Sequence, residues 1–225
     1  MEIANKRFLV VGASGVLGGE IVKLLTEKGA IVSGSASSND SAAKIPAKVE
    51  VRLLLDLTSP ESIKTLSDYL IAATELDGII NAAGVVAFGE VKDLTAETVG
   101  RLMAINASGP MQLFSALTAK LAEKEESVVV NITGVVAETP LPGIAAYSAS
   151  KFAIDGFLAA AAREWRRQGI RAISARPGHT ETGLASRAIA GEAPKFPEGM
   201  TAQHVAQRIV AAIENDEKEL PSTAF

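Results

Sequence analysis

Tyr147 and Lys151 stand four residues apart in the segment Tyr147-Ser148-Ala149-Ser150-Lys151. On a helix that spacing puts a phenol and an ammonium on one face, one turn apart. A phenol with its ordinary pKa of about 10 is a poor acid–base catalyst near neutrality. A neighbouring cation favours the phenolate and lowers that value. A surface tyrosine and lysine at the start of a helix would look the same, so the pair alone leaves both readings open. A second pattern is Gly12-Ala13-Ser14-Gly15-Val16-Leu17-Gly18. Glycines at 12, 15 and 18 let the backbone turn tightly and approach an anion, and a helix that follows offers free amides and its positive end. The turn comes after an apolar run and before a helical pattern, the context a dinucleotide site requires. A glycine-rich connection in some other α/β protein is the alternative. No metal site is expected: His179 and His204 are far apart in sequence and there is no cysteine.

Elements that alternate along the chain must position these groups. Short apolar runs at Arg7–Val11, 31–32, 49–55, 78–80, Ser127–Ile132 and Ile170–Ala175 read as strands. Helix-period segments lie between and after them, at 16–28, 59–73, 95–122, 148–168 and 201–214. Strands that are apolar on both faces and alternate with helices predict an α/β fold, a three-layer, doubly wound parallel sheet of the Rossmann type. We expect a single domain over 1–225. Within it, residues 183–200, with Gly183, Gly191, Pro194, Pro197 and Gly199, read as a mobile flap over a substrate. The tail from 215 to 225 shows no clear strand.

Composition narrows the function classes. The 225 residues carry 22 basic and 26 acidic side chains, 48% hydrophobic and 4% aromatic residues, and no cysteine. Without cysteine there is no disulfide scaffold and no thiolate nucleophile. A mildly acidic, aromatic-poor chain argues against nucleic acid as a partner. The longest uncharged stretch is too polar to span a membrane, and no targeting segment is evident at the start, so a cytoplasmic protein is expected.

The glycine turn and the Tyr-Lys segment, in this order, resemble the short-chain dehydrogenase/reductase family. Further pieces match in order: Asp56-Leu57 after the third strand, Asn81-Ala82-Ala83-Gly84 after the fourth, Asn106 in the long helix, and Pro177-Gly178 with Thr182 beyond. The resemblance runs from about Lys6 to Ile213. It implies an NAD(P)-dependent oxidoreductase that reduces a small-molecule carbonyl or oxidises the alcohol. Tyr147 would be the acid/base, Lys151 would bind the nicotinamide ribose, and Asn106 would hold a water in a proton relay. Gly12, Ser14, Gly15, Leu17, Gly18, Ser37, Asp56, Leu57, Asn81, Ala82, Ala83, Gly84, Tyr147, Lys151, Pro177, Gly178, Thr180 and Thr182 would contact the cofactor. Pairing of the two long helices between subunits implies a homodimer or homotetramer.

Two features depart from the pattern. The serine usually found thirteen residues before the catalytic tyrosine is Gly134 here. Its loss leaves three readings: Thr133 supplies the hydroxyl, the Gly134 amide or a water replaces it, or the chain binds nucleotide as a regulator without turnover. The glycine spacing also admits an epimerase or dehydratase. The end of the second strand has Ala36 where NAD binders carry an acid, followed by Ser37 and Ser38, which favours NADP over NAD. Pro110 lacks an amide hydrogen and deprives the Asn106 carbonyl of its helical partner, either to ligate a water or to kink the helix.

Overall fold

The computed structural model describes residues 1–73 and 75–225. Six parallel strands form one sheet: β1 (Arg7–Val11), β2 (Ile31–Ala36), β3 (Val51–Leu54), β4 (Gly78–Asn81), β5 (Ser127–Ile132) and β6 (Ile170–Ala175). Their order is β3-β2-β1-β4-β5-β6. The order reverses between β1 and β4, which opens a crevice beyond the carboxyl ends of those strands. The Val11–Asn81 and Asn81–Asn131 pairings set those ends level.

Alternation along the strands builds two cores. Phe8, Val10, Val128 and Val130 face α1 (Val16–Glu27) and the last helix, Ala202–Glu214, burying Ile21, Leu25, Val205 and Ile209. Leu9, Val11, Ile79 and Val129 face the opposite layer, of α3 (Pro60–Ala73) and helices in 96–121 and 145–165, with Leu113, Phe114, Ile154 and Leu158. This is the three-layer arrangement expected. Trp165 is buried in the second core, edge-on to Phe157.

Several boundaries differ from the sequence reading. β2 runs on through Ser33, Gly34, Ser35 and Ala36, small residues that look like a turn but lie buried between β1 and β3. A short helix α2 (Asn39–Ala42) follows, capped where the Ser38 side chain accepts from the Ser41 amide. The 95–122 helix is two segments, α4 (Ala96–Met103) and α5 (Gly109–Leu121), joined by a π-helical turn at Ala104–Ser108. The π turn ends just before Pro110, whose missing amide interrupts the regular ladder there. Helix α6 (Ala145–Trp165) starts three residues earlier than expected, so Tyr147 lies in its first turn. Helix α7 is Ala202–Glu214.

The C-terminal third is more tied down than its composition suggests. In the 183–200 segment, the Ile189 amide donates to the Val86 carbonyl at 2.8 Å and the Phe88 amide to the Ala190 carbonyl at 2.9 Å. Two short strands, β7 (Thr180–Glu181) and β8 (Met200–Thr201), clip its ends together. The tail forms no strand among the described residues, as expected, but Leu220 is fully buried and makes a single parallel bridge to Ala175 at the edge of β6.

Candidate functional site

The glycine turn lies at the switch point of the sheet. Gly12 has φ +75°, and an added Cβ would lie 2.8 Å from the Ala83 nitrogen. Only glycine suits both the conformation and this contact with the chain leaving β4. A Cβ at Gly18 would meet the Gly12 carbonyl oxygen at 2.2 Å, so α1 packs directly on the turn. Gly15 is the N-cap of α1 and brings no side-chain cap, and the first turn holds no acidic residue. Helices α2, α4 and α7 are capped instead by Ser38, Thr95 and Thr201. An uncapped helix start behind a turn with little side-chain bulk suits the pyrophosphate of a dinucleotide. Ser14 and Leu17 flank it, both partly exposed.

Beyond β2, Ala36 is 4% exposed and packs in the core. The residue that can meet a ribose is therefore Ser37, the first exposed one past the strand. Asp56 is exposed after β3, but its carboxylate accepts from the Thr58 amide at 2.8 Å and the Thr58 hydroxyl at 2.7 Å. Leu57 beside it is buried against Gly109. Asn81 closes β4: its Nδ2 donates to Asn131 Oδ1 at 2.7 Å and its Oδ1 accepts from the Ala83 amide at 3.2 Å. Ala82, Ala83 and Gly84 run from there across the crevice, half-buried.

Asn106, in the middle of the π turn, is 1% exposed. Its Oδ1 accepts from the Val85 amide at 2.9 Å, and its Nδ2 donates to the Val85 carbonyl at 2.9 Å and to Ser150 Oγ at 3.0 Å. Ser150 in turn donates to the Tyr147 carbonyl at 2.7 Å. A Cβ on Gly84 would lie 3.3 Å from Asn106 Oδ1 and 3.4 Å from Lys151 Nζ, so the two side chains converge there. Lys151 is 5% exposed; its Nζ donates to the Ile132 carbonyl at 3.0 Å and sits 5.8 Å from the Tyr147 ring centre.

Charge behaves differently here from the sequence expectation. Burial pushes the Tyr147 phenol up to about 12 and pulls the Lys151 ammonium down to about 8. The lysine does not depress the phenol, because its Nζ faces the ring and the Ile132 carbonyl and desolvation dominates.

Thr133 corrects the reading that made it a substitute hydroxyl. It is 1% exposed, and its Oγ1 shares a hydrogen bond with Ser174 Oγ and lies 3.3 Å from the Ala175 carbonyl it donates to. Ser174 donates to Asp155, and Arg176 Nε holds the same carboxylate at 3.0 Å. The pairing of β5 with β6 turns Thr133 into this cluster. The Gly134 amide donates to the Ala175 carbonyl at 3.2 Å, and φ at Gly134 is +92°. Pro177 accepts from the Val135 amide at 2.9 Å, and Thr180 Oγ1 donates to the Gly178 carbonyl at 3.0 Å. Thr182 Oγ1 accepts from the Leu184 amide at 3.4 Å. Around Tyr147, Val86, Phe88, Val136 and Ile144 form a small apolar cluster with Leu184 and Ala188 of the flap.

The structure thus gathers Tyr147, Lys151, Asn106 and Gly84 beside the glycine turn and sends Thr133 elsewhere. Sequence reasoning missed Ser150 and Asn131, which brace Asn106 and Asn81. An asparagine inside the valine-rich β5 was the available signal for the second.

Together, the doubly wound sheet and its switch-point crevice define a Rossmann-type α/β protein. The family model for short chain dehydrogenase matches residues 6–193. The chain belongs to the short-chain dehydrogenase family. It is 30% identical over 228 residues to the 3-oxoacyl-acyl-carrier-protein reductase FabG of Escherichia coli K12, covering 96% of this chain and 93% of that protein. It is 27% identical to the mouse dehydrogenase/reductase SDR family member 7B, covering 98% of this chain and 68% of the relative. A short chain dehydrogenase from Burkholderia cenocepacia, solved in complex with NADP, superposes with TM-score 0.87 at 23% identity over 99% of this chain and 90% of that one. No helix among the described residues is long and apolar enough to cross a membrane, and no group of His, Asp or Glu there is arranged to hold a metal.

Proposed function

We propose that the chain is an NADPH-preferring oxidoreductase that reduces a small-molecule carbonyl, or oxidises the alcohol, with Tyr147 as the acid/base. The observation that carries this is the meeting of Tyr147, Lys151 and Asn106 at the carboxyl edge of the sheet, next to an uncapped glycine turn. Family membership and the NADP complex of the Burkholderia protein support it.

The bound nicotinamide would supply hydride. Gly12, Ser14, Gly15, Leu17 and Gly18 would hold the pyrophosphate by backbone amides. Asp56 and Leu57 would flank the adenine, and Asn81 to Gly84 would back the nicotinamide ribose. Pro177, Gly178, Thr180 and Thr182 would face the nicotinamide. Ser37 presents a hydroxyl and no carboxylate to the adenosine ribose, so this residue does not repel a 2′-phosphate. NAD remains the weaker alternative cofactor.

Tyr147 would donate its proton to the carbonyl oxygen as negative charge grows there; burial keeps the phenol protonated at neutral pH, and the developing alkoxide, a stronger base than a phenolate, would draw the proton off. Lys151, anchored by the Ile132 carbonyl, would bind the nicotinamide ribose and keep a positive charge near the reacting oxygen. Asn106 would brace the segment through Val85 and Ser150 rather than donate to substrate.

Residues 1–225 would act as one domain, with 183–200 covering the substrate. Outward apolar residues on the two long helices, Val99 and Phe152, support pairing into a homodimer or homotetramer in the cytoplasm. The deciding measurement is NADPH oxidation at 340 nm across a carbonyl panel, by wild type and Tyr147→Phe. Turnover lost in the variant is expected. Tight NADPH binding without turnover in the wild type would favour the regulator instead. Tighter binding of NADH than NADPH would reverse the cofactor preference.

A further inference from the structure

Arg176 stands at the end of β6, immediately before Pro177-Gly178. Its Nε donates to Asp155 Oδ1 at 3.0 Å and its Nη2 to Asp155 Oδ2 at 3.2 Å. A two-point fork of this kind fixes angle as well as distance. Its Nη1 reaches Glu138 Oε1 at 3.5 Å. The Arg176 and Asp155 side chains are 18% and 17% exposed, so water screens the fork less than it would a surface pair. Among the described residues no other cation pairs with either carboxylate.

The partners lie on both sides of the reacting groups. Asp155 is four residues past Lys151, one turn further along α6 and on the same side. Lys151 is tied to the Ile132 carbonyl at the end of β5, and Asp155 accepts from Ser174 near the end of β6. Glu138 lies in the turn after β5, ahead of Tyr147. The stretch from Glu138 to Asp155 thus carries Tyr147 and Lys151, and one guanidinium holds both of its ends. The tail closes the arrangement: the Ser222 amide and hydroxyl donate to Glu138, and the Arg176 amide donates to the Leu220 carbonyl at 2.9 Å. Thr133 ends the chain of bonds on the inner side, through Ser174, and the fork does not need it.

We propose that Arg176, through its fork on Asp155 and its contact with Glu138, is a positioning residue that sets the Tyr147–Lys151 pair against the nicotinamide. This rests on the reductase reading above, with Pro177-Gly178 facing the nicotinamide. Arg176 touches no reacting atom. Hydride and proton must reach the two neighbouring atoms of one carbonyl, so an error of about 1 Å between α6 and the Pro177 loop costs up to about a hundredfold in rate. The glycine turn packs on Ala83 and Gly18 rather than on this cluster, so cofactor affinity does not depend on the fork.

Arg176→Gln removes charge and fork together. Arg176→Lys keeps the charge but, as a point donor, cannot hold two carboxylates at fixed angles. The carbonyl probes are benzaldehyde, acetophenone and ethyl acetoacetate, with turnover counted per NADPH-binding site. In both variants kcat should fall at least tenfold, while NADPH Kd and carbonyl KM stay within about threefold. Asp155→Asn should also lower kcat, and adding Arg176→Gln to it should lower it little further, because the two residues are ends of one contact. Arg208→Gln is the matched control. It breaks a comparable fork on Glu217, at 2.9 and 2.6 Å, and a bond to the Ala224 carbonyl, and shares no residue with the cluster. It should lower Tm to a similar degree and leave kcat unchanged. If Arg176→Gln fails to fold, Arg176→Lys and Asp155→Asn decide. Wild-type kcat in Arg176→Lys, a loss confined to KM or Kd, or an equal kcat loss in Arg208→Gln would overturn the positioning role and leave the reductase reading intact. NADPH bound by the wild type but never oxidised with any probe would overturn both.

Discussion

Replacing Lys151 by methionine should make the protein more stable while removing a catalytic group. The lysine is 5% exposed, and its ammonium titrates at about 8 instead of 10.5 because burial disfavours the charge. A drop of about 2.5 units, at 1.36 kcal/mol each, corresponds to about 3 kcal/mol of penalty for keeping the charge inside at pH 7. The bond to the Ile132 carbonyl returns about 1 kcal/mol of this when the lysine is present. Lys151→Met, close in length and apolar, should therefore gain about 2 kcal/mol, or about 4–8 °C in Tm for a chain this size. The pH dependence carries the stronger test. The folded protein gives up this proton earlier than the unfolded chain. Between about 8 and 10.5 the unfolded chain thus binds more protons and wild-type stability rises with pH, while below about 8 the whole penalty stands. Tyr147 works the other way, since its raised value stabilises the fold below about 10 and that contribution is lost as pH climbs towards 12. Urea unfolding without nucleotide at pH 6.5, 8 and 9.5 should show a rising wild type and a flatter variant. A variant less stable than wild type at pH 7, or one with the same slope, would refute the assignment of a buried, strained charge.

Three further outcomes follow from the same geometry. Carbonyl reduction should lose rate as pH rises through about 8, where Lys151 loses its charge, while Tyr147 stays protonated; a kcat/KM profile flat to pH 9.5 would count against that role. Gly18→Ala places a Cβ 2.2 Å from the Gly12 carbonyl oxygen, so α1 must shift off the turn. NADPH affinity should then fall at least tenfold by fluorescence titration, and unchanged affinity would dismiss the turn as a binding element. Thr133→Ala should cost about 1–2 kcal/mol in thermal unfolding, because it breaks into the Ser174–Asp155 cluster. Its turnover should stay within about twofold of wild type, since a lone hydroxyl facing the interior gives the reaction nothing.

The parts of the fold legible in the sequence were those set by local pattern. Val128, Val129 and Val130 alternate between two cores, and an all-apolar run of that kind announces a strand covered on both faces. Gly12 and Gly18 were legible because backbone contact leaves no room for anything else. What escaped depends on partners distant in sequence. Ser33, Gly34 and Ser35 look like a turn, and only their pairing with β1 and β3 makes them strand. The direction of the Thr133 hydroxyl follows from β5 lying against β6, where Ser174 waits 41 residues away. Desolvation of the Tyr147 phenol was not legible, because the spacing to Lys151 shows in the sequence and the packing around the pair does not.

The widened turn between α4 and α5 constrains mutation in an uneven way. A single π turn holds one residue more than α-helical geometry allows, so everything beyond it is rotated by about 100° relative to an uninterrupted helix. Leu102 on one side and Leu113, Phe114 and Leu117 on the other are all fully buried with that offset in place. Exchanging Ile105 or Ser108, both outside the fully buried set, for another residue of similar size leaves the phase untouched. Deleting either lets the turn close to regular α-helix with α5 in the same phase, so the leucines stay on the sheet and what is lost is the widened turn that holds Asn106. At these positions a missing letter would be felt in the site and not in the core.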